Sequence, residues 1–175
     1  MIRLAFMTDK ARVIGASTKE GDDRRLELLP DGLHNEMSEI LEADNVAIGK
    51  GSIRFYGYSD RAKKNLYIIT RDKYFEAPIG CKVVHDYMEL VKRFKDSEDG
   101  LTVIGGLTIL KLFAPYASEL DIAETDVLVP GDLVFNDWDT DDFELVRTKE
   151  WSGGKTSHYI RKKKLRGGAR LTALT

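Results

Sequence analysis

The chain has 175 residues, with 27 lysines and arginines against 29 aspartates and glutamates, a formal net charge of −2 and a pI near 6.0. That balance argues against a dedicated nucleic-acid binder, which carries a net basic domain, and the length suits one domain with a sizeable core. Cys81 is the only cysteine, so an internal disulfide and a cysteine metal cluster are both excluded. No apolar run approaches the roughly 18 residues of a membrane span and no signal-like segment opens the chain, so the expectation is a cytoplasmic protein with no membrane partner.

Residues 2–8 are mostly apolar and read as an inner strand, followed by the short apolar step Val13-Ile14-Gly15. Residues 16–28 are highly charged, contain Gly21 and show no apolar periodicity, which predicts an exposed loop. After Pro30-Asp31-Gly32, the residues Leu33, Met37, Ile40 and Leu41 recur at helical spacing, with Glu36, Glu39 and Glu42 assigned to the wet face and Asp31 to the N-cap. Residues 46–49 predict a short buried strand, 50–58 a short helical turn with an aromatic patch, and 66–70 a further strand. Cys81 reads as a small buried filler opening the strand that includes Val83-Val84. Tyr87, Leu90, Val91 and Phe94 follow at i, i+3, i+4 and i+7, the pattern of a second helix.

The sharpest local signal is Val103-Ile104-Gly105-Gly106 running into the amphipathic segment 107–116. It reads as strand, tight turn and helix, a junction whose free backbone N–H groups suit phosphate. Residues 120–129 predict a strand and a turn, and 143–151 with 157–162 an antiparallel hairpin across Gly153-Gly154. Strands alternating with helices imply an α/β fold of three layers, with a mostly parallel central sheet, helices on both faces and a C-terminal antiparallel hairpin. The domain is expected over residues 1–163. Residues 164–175 are expected as a basic, solvated tail that does not contact nucleic acid. His34, His85 and His158 lack ligand spacing, so no metal site is expected, and His158 reads as a surface or stacking residue.

Several of these segments, in this order, resemble the dihydrofolate reductase family and its wider superfamily, which includes the reductase domain of riboflavin biosynthesis. The resemblance is carried by Arg12-Val13-Ile14-Gly15, Leu29-Pro30, Ala47-Ile48-Gly49-Lys50, the stretch from Lys64-Asn65 to Thr70-Arg71, Val103-Ile104-Gly105-Gly106, Phe113-Ala114-Pro115-Tyr116 and Gly131-Asp132. It implies an NADPH-dependent oxidoreductase acting on a small-molecule substrate, as a monomer or homodimer. The cofactor positions implied are Ile14, Gly49, Lys50, Ser52, Thr70, Arg71, Gly105, Gly106, Leu107 and Thr108. Lys50 and Arg71 end neighbouring strands, and two cations there favour NADPH over NADH.

The resemblance places the substrate ring against Ala5, Phe6, Leu33, Phe55, Ile104 and Ala123. The family carries a buried acid in Leu-Pro-x-Asp, whereas this chain reads Leu29-Pro30-Asp31-Gly32, with glycine at the matching position. Asp31 is therefore the candidate acid, displaced by about 100° around a helix. The threonine that supports the family's acid matches Ala123, and the tyrosine near the nicotinamide matches Leu110. These departures leave three readings: reduction of dihydrofolate or a related pterin-like heterocycle, reduction of a ribosylamino-pyrimidine or other non-folate substrate, and dinucleotide binding with little catalysis.

Overall fold

The computed structural model describes residues 1–55, 62–164 and 170–171; residues 54, 55, 62, 63, 164, 170 and 171 are described by backbone alone. Strands β1 (Ile2–Thr8) and β2 (Val13–Gly15) lead into helices α1 (Lys19–Leu28) and α2 (Asp31–Leu41). Strand β3 (Ala43–Gly49), the 3-10 turn Lys50–Phe55, β4 (Ala62–Ile69) and β5 (Cys81–Val84) follow, then helix α3 (Tyr87–Phe94). Strand β6 (Leu101–Gly105), helix α4 (Leu107–Phe113), β7 (Glu119–Thr125), β8 (Leu133–Val134), β9 (Phe143–Trp151) and β10 (Gly154–Arg161) complete the main body. Where the domain meets the basic tail, Lys163–Lys164 (β11) pairs with Arg170–Leu171 (β12), and residues 165–169 and 172–175 of the tail lie outside the described residues.

Eight strands form one sheet in the order β5-β4-β3-β6-β1-β7-β10-β9. All pairs from β5 to β7 are parallel; β10 runs antiparallel to both β7 and β9. This is the α/β layering expected from the alternation of apolar runs and amphipathic helices. The central strands are covered on both faces, which explains why they read as continuous apolar runs. On one face α3 and α4 enclose Leu4, Phe6, Val103, Leu120, Phe94 and Phe113. Each fully buried ring contributes about 1.5–3 kcal/mol. On the other face α2 lays Leu33, Ile40 and Leu41 over Ala5 and Ala123.

Residues 16–28 depart from the predicted loop: most of them form α1. The helix has no apolar stripe to betray it, and its ends and anchor are polar. The Thr18 hydroxyl accepts the Gly21 N–H at 3.0 Å as an N-cap, and Glu20 and Asp22 sit at the positive end of the helix. Arg25, 4% exposed, donates from Nη1 to the Val129 carbonyl at 3.1 Å and the Pro130 carbonyl at 2.9 Å. Burial pushes its guanidinium below the ordinary arginine range, and Asp9 and Asp22 act against that shift. Just before the helix, Ser17 N–H and hydroxyl both donate to the Asp132 carboxylate, tying the segment to the loop after β7.

Helix α2 also starts differently from its sequence reading. Pro30 takes the N-cap position, no side chain caps the helix, and Asp31 is its exposed first residue. The proline suits the extended backbone of that position, so the cap that Asp31 was expected to form is not needed for the helix to begin.

Candidate active site

The carboxyl ends of β3, β4 and β6 lie side by side and carry Gly49-Lys50, Thr70-Arg71 and Gly105-Gly106 to one edge of the sheet. Open α/β sheets bind ligands at this edge. The Gly105–Gly106 peptide is cis, and Gly105 has φ +134°, a conformation that favours glycine. A Cβ on Gly106 would stand 2.5 Å from Ser52 Oγ, and one on Gly49 would stand 2.9 Å from Ile109 Cγ1. Three predicted positions, Gly49, Ser52 and Gly106, therefore meet in one tight cradle, which side chains on either glycine would fill. Gly106 is the N-cap of α4, so the amides of Leu107 and Thr108 begin the helix without intrahelical acceptors.

The cations expected there are placed at the same edge. Lys50 Nζ lies 2.8 Å from Asp72 Oδ2 and 5.0 Å over the Phe75 ring. The hydrogen bond from Lys50, followed by the one from the Tyr74 amide, holds the Asp72 carboxyl below the usual aspartate range. Thr70 is engaged locally: its hydroxyl accepts the Asp72 N–H and its carbonyl accepts His85 Nδ1 at 2.8 Å. Arg71 is exposed. Ile14 is half-buried against the α3–α4 side of the core, as is Leu107.

On the α2 side, Ala5, Leu33, Ile104 and Ala123 come together with Met7, Leu29, Met37 and Trp151. Phe6 does not join them. Strand alternation turns its ring to the opposite face, where it meets Phe135 edge-on at 5.1 Å, and Met7 faces α2 instead. The side chain of Phe55 lies outside what the structure describes. Leu110, matching the family's tyrosine, is buried in the core between α4 and the sheet.

Gly32 cannot carry a side chain as placed. A Cβ there would collide with the Ser152 carbonyl oxygen and lie 3.2 Å from Trp151 Cε3. The tight turn of the β9–β10 hairpin is seated directly on the first turn of α2, with Gly153 at φ +101° against Pro30.

Of the carboxylates on α2, the fold buries one that sequence reasoning assigned to solvent. Glu36 is 4% exposed. Counting about 100° per residue, it lies some 60° to one side of Leu33, just beyond Ile40 at the edge of the apolar stripe, while Leu41 lies about 80° to the other. Whether such a flank is wet depends on what stands across from it, and here that is the hairpin. Glu36 Oε1 accepts the Thr156 hydroxyl; Glu36 Oε2 lies 3.1 Å from Lys149 Nζ, which also reaches Glu39 at 2.7 Å. Trp151 Nε1 donates to Thr156 Oγ1 at 3.0 Å. Thr156 is the direct cross-strand partner of Ala123. Sequence reasoning missed Thr156, Lys149 and Trp151; the signal available was the alternation along residues 154–161, which puts Thr156 and His158 on one face.

His158 also departs from its surface reading. It is buried, with Nδ1 2.8 Å from Asp121 Oδ1. Asp121 in turn pairs with Arg3 at 2.7 Å, and Arg3 Nη2 donates to the Ile40 carbonyl. Such a buried carboxylate holds its place because both neighbours bond it.

Residues 61–164 match the family model described as dihydrofolate reductase. Among solved structures, the chain is similar to a dihydrofolate reductase from Enterococcus faecalis complexed with NADP(H) and RAB-propyl. The TM-score is 0.71 and the identity 23%, with 92% of this chain and 96% of that one covered; at that identity the likeness speaks for the shared fold. No curated protein matches the chain. Among the described residues, no helix is long and apolar enough to cross a membrane.

Proposed function

Because this chain belongs to the dihydrofolate reductase family, we propose that it is an NADPH-dependent reductase of dihydrofolate or a related pterin-like heterocycle, with Glu36 rather than Asp31 as its acid. It is an NAD(P)H-dependent oxidoreductase by family; the cofactor's phosphate, the substrate and the acid are the proposal. The observation that carries it is the pairing of buried Glu36 with Thr156. The resemblance calls for an acid on the helix that follows Leu29-Pro30, here α2, held by a threonine on the strand after the diglycine helix. That strand is β7, where Ala123 stands, and Thr156 offers a hydroxyl at the same level one strand over.

The residues present fit a dinucleotide. Gly105 faces open space, where a Cβ would meet nothing within 4 Å, Gly49 and Gly106 let Ile109 and Ser52 pack against bare backbone beside it, and Ser52, Thr108 and the first amides of α4 supply donors. Lys50, Thr70 and Arg71 stand at the neighbouring strand ends, where two cations favour the extra phosphate of NADPH. When bound, the nicotinamide supplies the hydride. The chain's part is to align the two rings and to line the substrate side with Ala5, Leu33, Ile104 and Ala123; Glu36 stands on the hairpin flank of α2, so its proton would pass to the substrate nitrogen through water.

The test has two arms. Fluorescence titration compares NADPH with NADH, and NADPH oxidation is then followed with dihydrofolate and with ribosylamino-pyrimidines. Glu36→Gln is expected to keep NADPH affinity and lose about 10²–10⁴-fold in turnover, the range for a general acid. Asp31→Asn is expected to leave turnover intact. NADPH binding with turnover only of the pyrimidine would replace the folate reading; no NADPH binding at all would overturn the function.

A further inference from the structure

At the sheet edge Lys50 already has a counter-ion. Strands β3 and β4 are parallel neighbours, so Lys50, after Gly49, stands beside the turn Thr70-Arg71-Asp72 that follows Ile69. Lys50 Nζ meets Asp72 Oδ2 at 2.8 Å, and the two side chains are 44% and 41% exposed, so a ligand arriving from solvent reaches both. The turn aims the carboxylate. Thr70 Oγ1 accepts the Asp72 N–H at 3.1 Å, and Asp72 Oδ1 accepts the Tyr74 N–H at 3.0 Å. The Asp72 carbonyl accepts the Phe75 N–H at 3.3 Å. One carboxylate oxygen is thus tied to the backbone and the other is left to Lys50. On its other side Lys50 lies over the Phe75 ring. Arg71 is exposed and makes no ion pair among the described residues. His85, bonded through Nδ1 to the Thr70 carbonyl at 2.8 Å, stands close enough to act on Asp72 electrostatically.

We propose that Asp72 is a specificity-determining residue for the dinucleotide: by engaging Lys50 it narrows the margin by which a cofactor with a 2′-phosphate is preferred over one with a free 2′-hydroxyl. The inference rests on the dinucleotide lying at this edge, as in the function proposed above. To bond Lys50, a phosphate must either displace Asp72 or sit beside a carboxylate of its own charge sign. A ribose hydroxyl meets neither cost, because it donates to a carboxylate and accepts from an ammonium. Acidic side chains suit the ribose hydroxyl and cationic ones the phosphate, and this turn carries one of each, Asp72 and Arg71. Arg71, with no counter-ion of its own, favours the phosphate; Asp72 opposes it. The carboxylate cannot swing clear without giving up the Tyr74 amide. Its charge is also secure near neutral pH, since the Lys50 hydrogen bond first, and the Tyr74 amide second, keep the carboxyl below the usual aspartate range. The pair is exposed, so the effect is modest and screened by salt.

The test measures affinity on the whole protein and needs no substrate. NADPH and NADH are titrated by fluorescence against the unaltered chain, Asp72→Asn, Lys50→Met and the double variant. Asparagine keeps an oxygen for the Tyr74 amide, so the turn persists while the charge is removed. Asp72→Asn is expected to bind NADPH several-fold more tightly and NADH no more tightly. That gain should shrink as salt is raised, and most of it should disappear in the Lys50→Met background. A merely structural role for Asp72 would move both nucleotides together and leave their ratio alone. An unchanged NADPH-to-NADH ratio in Asp72→Asn would overturn the proposal. So would a gain of the same size in the Lys50→Met background, because Asp72 would then act without Lys50. Failure of the broader functional reading would show separately, as the unaltered protein binding neither nucleotide.

Discussion

Gly32→Asp restores a carboxylate where the resemblance expects one, and the structure predicts that it harms the protein. A Cβ at residue 32 runs into the Ser152 carbonyl oxygen and stands 3.2 Å from both the Ser152 carbonyl carbon and Trp151 Cε3. The first obstacle is backbone in a two-residue hairpin turn, which has no rotamer to yield, so α2 and the hairpin must part. Overpacking of this kind costs about 1–3 kcal/mol. A carboxylate pressed against a carbonyl oxygen adds roughly 1–3 kcal/mol of unsatisfied polar burial. Against this, replacing glycine within a helix returns a few tenths of a kcal/mol, and a negative charge in the first turn about 0.3–1 kcal/mol. The steric and desolvation costs win, for a net loss of about 1–5 kcal/mol. At roughly 2–4 °C per kcal/mol for a chain of this size, Tm falls by about 2–20 °C. Thermal unfolding of the variant beside the unaltered protein measures this, and dihydrofolate-dependent NADPH oxidation measured in parallel should not rise. An unchanged Tm with faster turnover would refute the reasoning, since it would mean that the hairpin is not seated on α2 and that the acid belongs at residue 32.

Three further expectations rest on separate contacts. Arg25→Met strips the Val129 and Pro130 carbonyls of their donor and should destabilise by about 2–4 kcal/mol, read from urea unfolding with an unchanged m-value. Thr156→Val removes the hydroxyl between Trp151 and Glu36; a loss of about 1–3 kcal/mol in stability is expected, together with a fall in turnover that Thr156→Ser restores. Asp72 has a folded-state pKa below its unfolded one, so the pairing with Lys50 contributes above the ordinary aspartate range near 4 and is lost as pH falls through the depressed value. Carbon-13 NMR titration of Asp72 should show that low midpoint, and Lys50→Met should return it toward the ordinary range.

How far the amino-acid order could be read depended on how local each cause was. The strand–diglycine–α4 junction was legible because glycine content, apolar run and helical spacing all lie within a dozen residues. The stripe of α2 and the i, i+3, i+4, i+7 pattern of α3 were legible for the same reason. Helix α1 was not, because its anchor is one arginine whose acceptors lie more than a hundred residues away. The side of Phe6 was hidden as well: a strand covered on both faces is apolar at every position, so its alternation carries no label for inside and outside. Arg12-Val13-Ile14-Gly15 and Gly131-Asp132 marked two loops, and only the fold tied them into neighbours through β2, β8 and the Ser17–Asp132 contact.

The acid shows the division most sharply. By itself the sequence determined that the layers alternate, that a strand–diglycine–helix junction lies at Gly105-Gly106, and that glycine stands where a carboxylate was expected. These follow from local periodicity and from residue identity. Which carboxylate is buried was decided only by the tertiary structure, because burial of a flanking position is set by the element packed across from it. The β9–β10 hairpin closes over α2, fills the space at Gly32, and brings Thr156 and Lys149 to Glu36 from 120 and 113 residues away along the chain.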